Sequence, residues 1–118
     1  MQETVKYPII TEAAFDEMLL ASEQNPSQTY AIFKHSTRCS ISSMALNRMQ
    51  KANFLAQFNV PFYYLDLIQY RNISNYIAQK LQIVHESPQI IMIKGGKSIA
   101  HASHSDISLA WIEDTITQ

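Results

Sequence analysis

The sequence predicts an α/β protein built on a central mixed sheet of four to five strands flanked by helices. Apolar runs of strand length alternate with segments of helical periodicity, and a Gly-Gly pair separates two apolar runs near the C-terminus. Alternating strands and helices favour parallel neighbours joined by right-handed crossovers, whereas the Gly-Gly pair indicates an antiparallel hairpin at one edge. The length of 118 residues predicts one domain, residues 1–118, with a core large enough to fold unaided.

The first half of the chain predicts two strands and two helices. A short strand is expected around Tyr7–Ile10, followed by a helix over residues 12–23 with Thr11 as its N-cap. Residues 29–35, TYAIFKH, are rich in aromatic and aliphatic side chains and are typical of a strand. After Cys39, apolar residues recur at helical spacing to about residue 57 and indicate a long helix.

The second half predicts a strand, a helix and a hairpin. The run PFYYLDL at residues 61–67 is continuously apolar, which is typical of a strand buried on both faces. A helix over residues 73–83 follows, with its apolar residues spaced by four. Two apolar runs at residues 87–94 and 97–103 flank Gly95-Gly96, which predicts a two-residue hairpin turn.

A last helix completes the chain, with Asp106 as its predicted N-cap and Ala110 and Trp111 among its apolar residues. The element order is then (β)αβαβαββα. This order is similar to the thioredoxin arrangement, so the predicted fold class is thioredoxin-like, with a C-terminal β-hairpin and helix.

Composition excludes several classes of function. The net charge is −1, with 47% apolar and 16% charged residues, so there is no electrostatic basis for binding nucleic acid. The apolar runs are far shorter than the roughly 20 residues of a membrane span, and the N-terminus lacks the apolar region of a signal peptide. A single cysteine forms no internal disulfide, so we expect a cytoplasmic protein in a reducing compartment.

That single cysteine, Cys39, falls between the end of a predicted strand and the start of a predicted helix. A lone cysteine is usually an inert buried residue, but sites form at this edge of open α/β sheets. Helix N-termini and nearby cations lower cysteine pKa values to about 3.5–7.5 from about 8.5. Arg38, Lys34 and His35 are the neighbouring candidates for this effect, and the Ser42 hydroxyl is a candidate donor to the sulfur.

Ser42 stands where many redox proteins keep a second cysteine, in the stretch Cys39-Ser40-Ile41-Ser42. A lone thiolate can attack a disulfide, but it then stays in a mixed disulfide until an external thiol releases it. The chemistry therefore needs a small thiol as a partner.

Two motifs together resemble a known family. Residues 35–42, HSTRCSIS, and residues 85–89, HESPQ, are similar to the YtxJ-type family of thioredoxin-like proteins of the bacillithiol system, the monothiol bacilliredoxins. The resemblance covers nearly the whole chain. Each motif is weak evidence alone, because a proline at the first residue of a strand is common.

The family's usual active-site pattern is Thr-Cys-Pro-Ile-Ser. Arg38 and Ser40 replace its threonine and proline here, whereas Cys39, Ile41 and Ser42 match. The two replacements affect the tuning of the thiolate and the rigidity of the loop, and they leave the nucleophile in place.

The resemblance implies a function and a set of partners. Cys39 would remove bacillithiol from S-bacillithiolated cytoplasmic proteins, with bacillithiol as co-substrate, no bound cofactor, and a separate NADPH-dependent disulfide reductase for recycling. Pro88 would be a cis-proline facing the cysteine, and Ser87 and Pro88 would hold the extended part of the mixed disulfide. Lys34 or Arg38 would meet the malate carboxylates of bacillithiol.

Other interpretations carry less support. A zinc site at Cys39 and His35, or at His101 and His104, lacks the four paired ligands of a structural site. A cysteine hydrolase is compatible with composition alone, and Gly95-Gly96-Lys97 does not form a phosphate-binding loop. Two rivals remain open: a sensor that stores a thiol on Cys39, and a redox-silent module that binds a protein. Four tyrosines are candidates for its surface: Tyr63, Tyr64, Tyr70 and Tyr76.

Overall fold

The computed structural model describes residues 6–36, 43–44, 47 and 59–117. The elements in chain order are β1 (Lys6–Pro8), α1 (Glu12–Gln24), β2 (Thr29–His35), β3 (Phe62–Asp66), α2 (Arg71–Leu81), β4 (Gln89–Lys94), β5 (Lys97–Ser103), a 3₁₀ turn (His104–Asp106) and α3 (Leu109–Ile116). The helix predicted from Cys39 to about residue 57 lies outside the described residues, apart from Ser43, Met44 and Asn47, which are helical.

The strands form one five-stranded mixed sheet in the order β1-β3-β2-β4-β5. β3 runs parallel to both β1 and β2, whereas β4 runs antiparallel to β2 and to β5. The predicted mixed sheet with a hairpin at one edge is therefore confirmed. Because β2 and β4 are antiparallel, the end of β2 lies beside the start of β4, where Lys34 pairs with Gln89.

Apolar side chains cover both faces of the sheet. On one face, strand residues pack with α1 and α2 around Phe15, Met18, Ile32, Ile73 and Ile77. The other face packs against α3 and the turn before it, around Phe33, Phe62, Met92, Ile107 and Ile112. β2 contributes to both layers because successive residues of a strand point to opposite faces.

β2 is the strand predicted at residues 29–35, and it is buried along its whole length. β3 differs from the prediction of a strand buried on both faces, because Tyr63 and Tyr64 are only half-buried. Tyr63 packs its ring against Tyr7 and Tyr30, with ring centroids 5.4 and 6.4 Å away. A tyrosine buries its ring while its hydroxyl end remains near water, so these two side chains line the rim of the core.

The caps of the first and last helices show where local sequence predicts structure well and where it does not. The Thr11 hydroxyl accepts a hydrogen bond from the Ala14 amide at 3.0 Å, which confirms the predicted N-cap. Asp106 is not the N-cap of the last helix, because it belongs to the 3₁₀ turn. Ser108 has the extended backbone that an N-cap needs, and its hydroxyl accepts from the Trp111 amide at 3.1 Å.

The hairpin turn and the end of α2 both depend on left-handed backbone. Gly95 and Gly96 have φ values of +63° and +76°, the geometry of a two-residue hairpin turn with positive φ at both positions. α2 ends two residues before the predicted residue 83, because Gln82 adopts a φ of +57°. Among the described helices, none is long and apolar enough to cross a bilayer.

Candidate functional site

Five of the predicted site residues lie outside the described residues: Arg38, Cys39, Ser40, Ile41 and Ser42. Their predicted roles therefore remain predictions. The structure does describe the end of β2, which leads towards Cys39, and the segment that leads into β4, which contains Ser87 and Pro88.

The peptide bond between Ser87 and Pro88 is cis, which confirms the expectation of a cis-proline at this position. Pro88 is buried immediately before β4, and its carbonyl oxygen accepts a hydrogen bond from the His104 amide at 3.0 Å. Ser87 is half-buried. The segment therefore begins β4 at the sheet edge where β2 ends.

The residues before Pro88, here called the proline segment (residues 83–88), are held by side chains from the sheet. The Gln89 side-chain amide donates to the Val84 carbonyl oxygen at 3.1 Å. The Ser103 hydroxyl donates to the Glu86 carboxylate from the neighbouring strand β5. These bonds hold the backbone of Val84 and the side chain of Glu86, the two residues that flank His85.

Lys34 adds a third anchor from inside the protein. Its side chain is 0% exposed, and its Nζ donates to the Ser74 carbonyl oxygen at 3.1 Å and lies 3.5 Å from His85 Nδ1. Burial and, to a smaller extent, the nearby Arg71 charge together lower the pKa of Lys34 to about 8. The expectation that Lys34 meets the carboxylates of bacillithiol is wrong, because the ammonium group is enclosed beneath α2.

His85 turns its ring towards the same polar cluster. The Ser74 hydroxyl lies 3.0 Å from His85 Nδ1, on the same ring nitrogen that faces Lys34. A lysine ammonium only donates, so Nδ1 is the acceptor and the ring proton belongs on Nε2. Burial lowers the pKa of His85, the charges of Lys34 and Arg71 lower it too, and Glu86 opposes them. The neutral ring is therefore the form that fits the cluster.

The second histidine near the end of β2 lies on the opposite face. His35 is buried, and its ring is 5.8 Å from that of Phe33 and 5.5 Å from that of Tyr64. The alternation along β2 thus sends Lys34 towards α2 and His35 into the aromatic layer that faces α3.

A polar cavity of about 600 Å³ adjoins the proline segment on the β5 side. The residues that line it include Glu86, Asp106 and Trp111. The His104 amide that binds Pro88 belongs to the turn containing Asp106. The cavity therefore borders the proline segment at Glu86, the residue before Ser87.

The histidines considered for a zinc site and the tyrosines considered for a protein-binding surface have surface or packing positions. His101 and His104 are exposed, and across the described ranges no group of three or more histidine, cysteine, aspartate or glutamate side chains could hold a metal ion. The four tyrosines are half-buried and pack against the two core layers. The Tyr76 hydroxyl donates to the Asp16 carboxylate at 2.7 Å, a bond that raises the pKa of Tyr76 to about 12.

Comparison with known proteins establishes the family. The model of the family described as monothiol bacilliredoxin BrxC matches residues 8–112. The chain belongs to the monothiol bacilliredoxin family. The match includes Cys39 and the proline segment, and it supports a thiol-based redox function.

Solved structures agree with the fold. A protein of thioredoxin fold, proposed to be an oxidoreductase, is 30% identical with a TM-score of 0.80, over 94% of this chain and 93% of that one. Thioredoxin NaTrxh from Nicotiana alata is 14% identical with a TM-score of 0.75, over 99% of this chain and 94% of that one. Thioredoxin O2 from Arabidopsis thaliana is 16% identical with a TM-score of 0.73, over 98% of this chain and 94% of that one. This bacilliredoxin therefore has the thioredoxin fold.

Proposed function

We propose that this bacilliredoxin removes bacillithiol from S-bacillithiolated proteins of the cytoplasm by monothiol exchange at Cys39. The observation that carries the proposal is the family match over residues 8–112, which contains one cysteine and no second thiol. A protein with one thiol cannot resolve its own mixed disulfide, so a small thiol in solution must release Cys39 from it.

The reaction has two exchange steps. The Cys39 thiolate attacks the bacillithiol sulfur of the client's mixed disulfide, the original S–S bond breaks, and the client leaves as a thiolate that takes up a proton. Bacillithiol is now bound to Cys39. A second bacillithiol thiolate attacks this disulfide, releases the Cys39 thiolate, and leaves as bacillithiol disulfide. A separate NADPH-dependent reductase supplies the two electrons that recycle it.

The remaining site residues have supporting roles in this scheme. Ser87 offers backbone groups to the extended chain that carries the mixed disulfide, next to Pro88. The proposal is supported by the hydrogen bonds that hold the proline segment and by the polar cavity that opens beside it. Arg38 meets the carboxylates of bacillithiol, Ser42 donates to the sulfur, and Ser40 and Ile41 shape the loop.

Intact-mass spectrometry tests the scheme directly. The reduced protein is mixed with an S-bacillithiolated client, with the Cys39→Ser variant as a matched control. We expect the wild type to gain one bacillithiol as the client is reduced, and added bacillithiol to remove it. If Cys39 stays unmodified while the client stays capped, the exchange mechanism is wrong and the protein-binding module gains support.

Turnover separates the enzyme from a thiol-storing sensor. With excess bacillithiol and the recycling reductase, we expect many client molecules to be reduced per protein molecule. A parallel reaction with the S-glutathionylated client measures selectivity for the small thiol. One modification per Cys39, with no further client reduced, would assign the chain to the sensor class instead.

A further inference from the structure

The buried ammonium group of Lys34 is the feature that the exchange mechanism leaves without a role. Removing a charged amine from water is costly unless hydrogen bonds and charges compensate. The side chain is 0% exposed, and within the part of the chain that the structure describes its ammonium group contacts the neutral Ser74 carbonyl and the His85 ring. Arg71 adds repulsion rather than compensation. Packing alone does not explain a lysine at this place.

The contacts of Lys34 lead to the proline segment. Lys34 pairs with Gln89 across β2 and β4, and these two neighbours bind consecutive residues of the segment. Gln89 holds the Val84 carbonyl at 3.1 Å, and Lys34 faces the His85 ring at 3.5 Å. Gln89 thus holds the backbone at Val84, and Lys34 contacts the side chain of the next residue, both a few residues before the cis peptide at Pro88.

We propose that Lys34 is a positioning residue for thiol exchange, acting through His85 to fix the backbone of Ser87 and Pro88 that receives the disulfide substrate. This inference rests on the proposed function. His85 Nδ1 faces the Ser74 hydroxyl at 3.0 Å and the Lys34 ammonium at 3.5 Å, and both donors favour the ring orientation that turns the Nδ1 lone pair towards them. With the ring fixed, His85 holds the chain at the third residue before Pro88.

Positioning and structural roles predict different results for Lys34→Met, which keeps the length of the side chain and removes its charge. If the role of Lys34 is structural, the variant lowers the stability of the fold. If Lys34 is a positioning residue, the variant weakens substrate binding, because a misplaced backbone binds the mixed disulfide less well. In that case the rate at which a small alkylating reagent modifies Cys39 stays the same, because the reagent does not use the proline segment.

The experiment measures three quantities for the wild type, Lys34→Met and the exposed control Lys97→Met. They are the kcat and KM for an S-bacillithiolated client, the rate of Cys39 alkylation by iodoacetamide, and the Tm. For Lys34→Met we expect kcat/KM to fall about tenfold, mainly through a higher KM, while the alkylation rate changes less than twofold and the Tm does not fall. Lys97→Met should match the wild type in all three.

Variants of His85 test the path from Lys34 to the proline segment. His85→Ala should reproduce the loss of Lys34→Met, and the double variant should be no worse than either single variant, because both break one connection. His85→Asn keeps an acceptor near the position of Nδ1 and should retain more activity than His85→Ala. Additive losses in the double variant would overturn the assignment.

Three further outcomes would also overturn it. Unchanged kcat/KM in Lys34→Met means that the segment is positioned without the lysine. A fall in alkylation rate equal to the fall in kcat/KM means that Lys34 acts on the thiolate, and a lower Tm with matching loss of activity means that its role is structural. If the wild type itself transfers no bacillithiol, the proposed function and this inference fail together, a result distinct from those three.

Discussion

The buried lysine makes the stability of this protein depend on pH in an unusual direction. The pKa of Lys34 is about 8 in the folded protein against an ordinary value of 10.5. Between these two values the unfolded chain holds a proton that the folded protein has lost, so the free energy of unfolding rises with pH. Below pH 8 both states are protonated, and the folded protein bears the full cost of the buried charge.

The magnitude follows from the difference between the two pKa values. Each unit of difference corresponds to about 1.4 kcal/mol, so the whole effect is about 3 kcal/mol. Most of this effect that an experiment can reach falls between about pH 7.5 and 9.5. Over that range, integration of the linkage relation gives a rise in the free energy of unfolding of about 2 kcal/mol. This is a large fraction of the roughly 5–15 kcal/mol that stabilises an ordinary domain.

Urea unfolding of the wild type and of Lys34→Met at pH 7.5, 8.5 and 9.5 measures this rise. His85, whose pKa the Lys34 charge lowers, titrates below this pH range and contributes little to the difference between the two proteins. The series stops at pH 9.5 because burial raises the pKa of Tyr63 and Tyr64, which lowers the free energy of unfolding once the unfolded tyrosines ionise. Between pH 7.5 and 9.5 we expect the free energy of unfolding of the wild type to rise by about 2 kcal/mol more than that of the variant. If the free energies of unfolding of the two proteins change equally with pH, the buried charge of Lys34 does not have the effect described.

Two further predictions concern backbone geometry. Ser108→Ala removes the acceptor of the Trp111 amide and should lower the free energy of unfolding by about 1 kcal/mol in urea titration; an unchanged value would show that the cap contributes nothing. Gly95→Ala and Gly96→Ala both place a Cβ at positive φ, at about 1 kcal/mol each. Only at Gly96 would that Cβ clash with the Glu23 side chain. Gly96→Ala should therefore have the lower Tm, and equal values would contradict this reasoning.

The parts of the fold that depend on local pattern could be predicted from sequence. The run TYAIFKH is the strand β2 at the predicted bounds, and Gly95-Gly96 is the predicted turn between β4 and β5. In both cases nearby residues decide the conformation: branched and aromatic side chains favour the strand, and only glycine readily adopts positive φ at two successive positions. The cis peptide before Pro88 was predictable only through resemblance to a fold.

The parts that depend on tertiary contacts could not be predicted in the same way. A lysine near the end of a strand suggests a surface cation, and Lys34 is buried because α2 covers that end of the sheet. The clue was present in β2 itself, since a strand with helices on both faces has no solvent side. Asp106 and Ser108 are both good capping residues. Because the 3₁₀ turn after β5 includes Asp106, the last helix begins later and Ser108 is its N-cap.

The order of the strands has a consequence for synthesis of the chain. β2 lies in the middle of the sheet, but its neighbours β3 and β4 both follow it in sequence. While the protein is being translated, β2 leaves the ribosome with neither partner yet made, and pairing of residues 29–34 with residues 89–94 must wait for the hairpin. An unpaired strand rich in apolar residues is prone to aggregate. β2 is therefore the part of the nascent chain that a chaperone has most reason to shield.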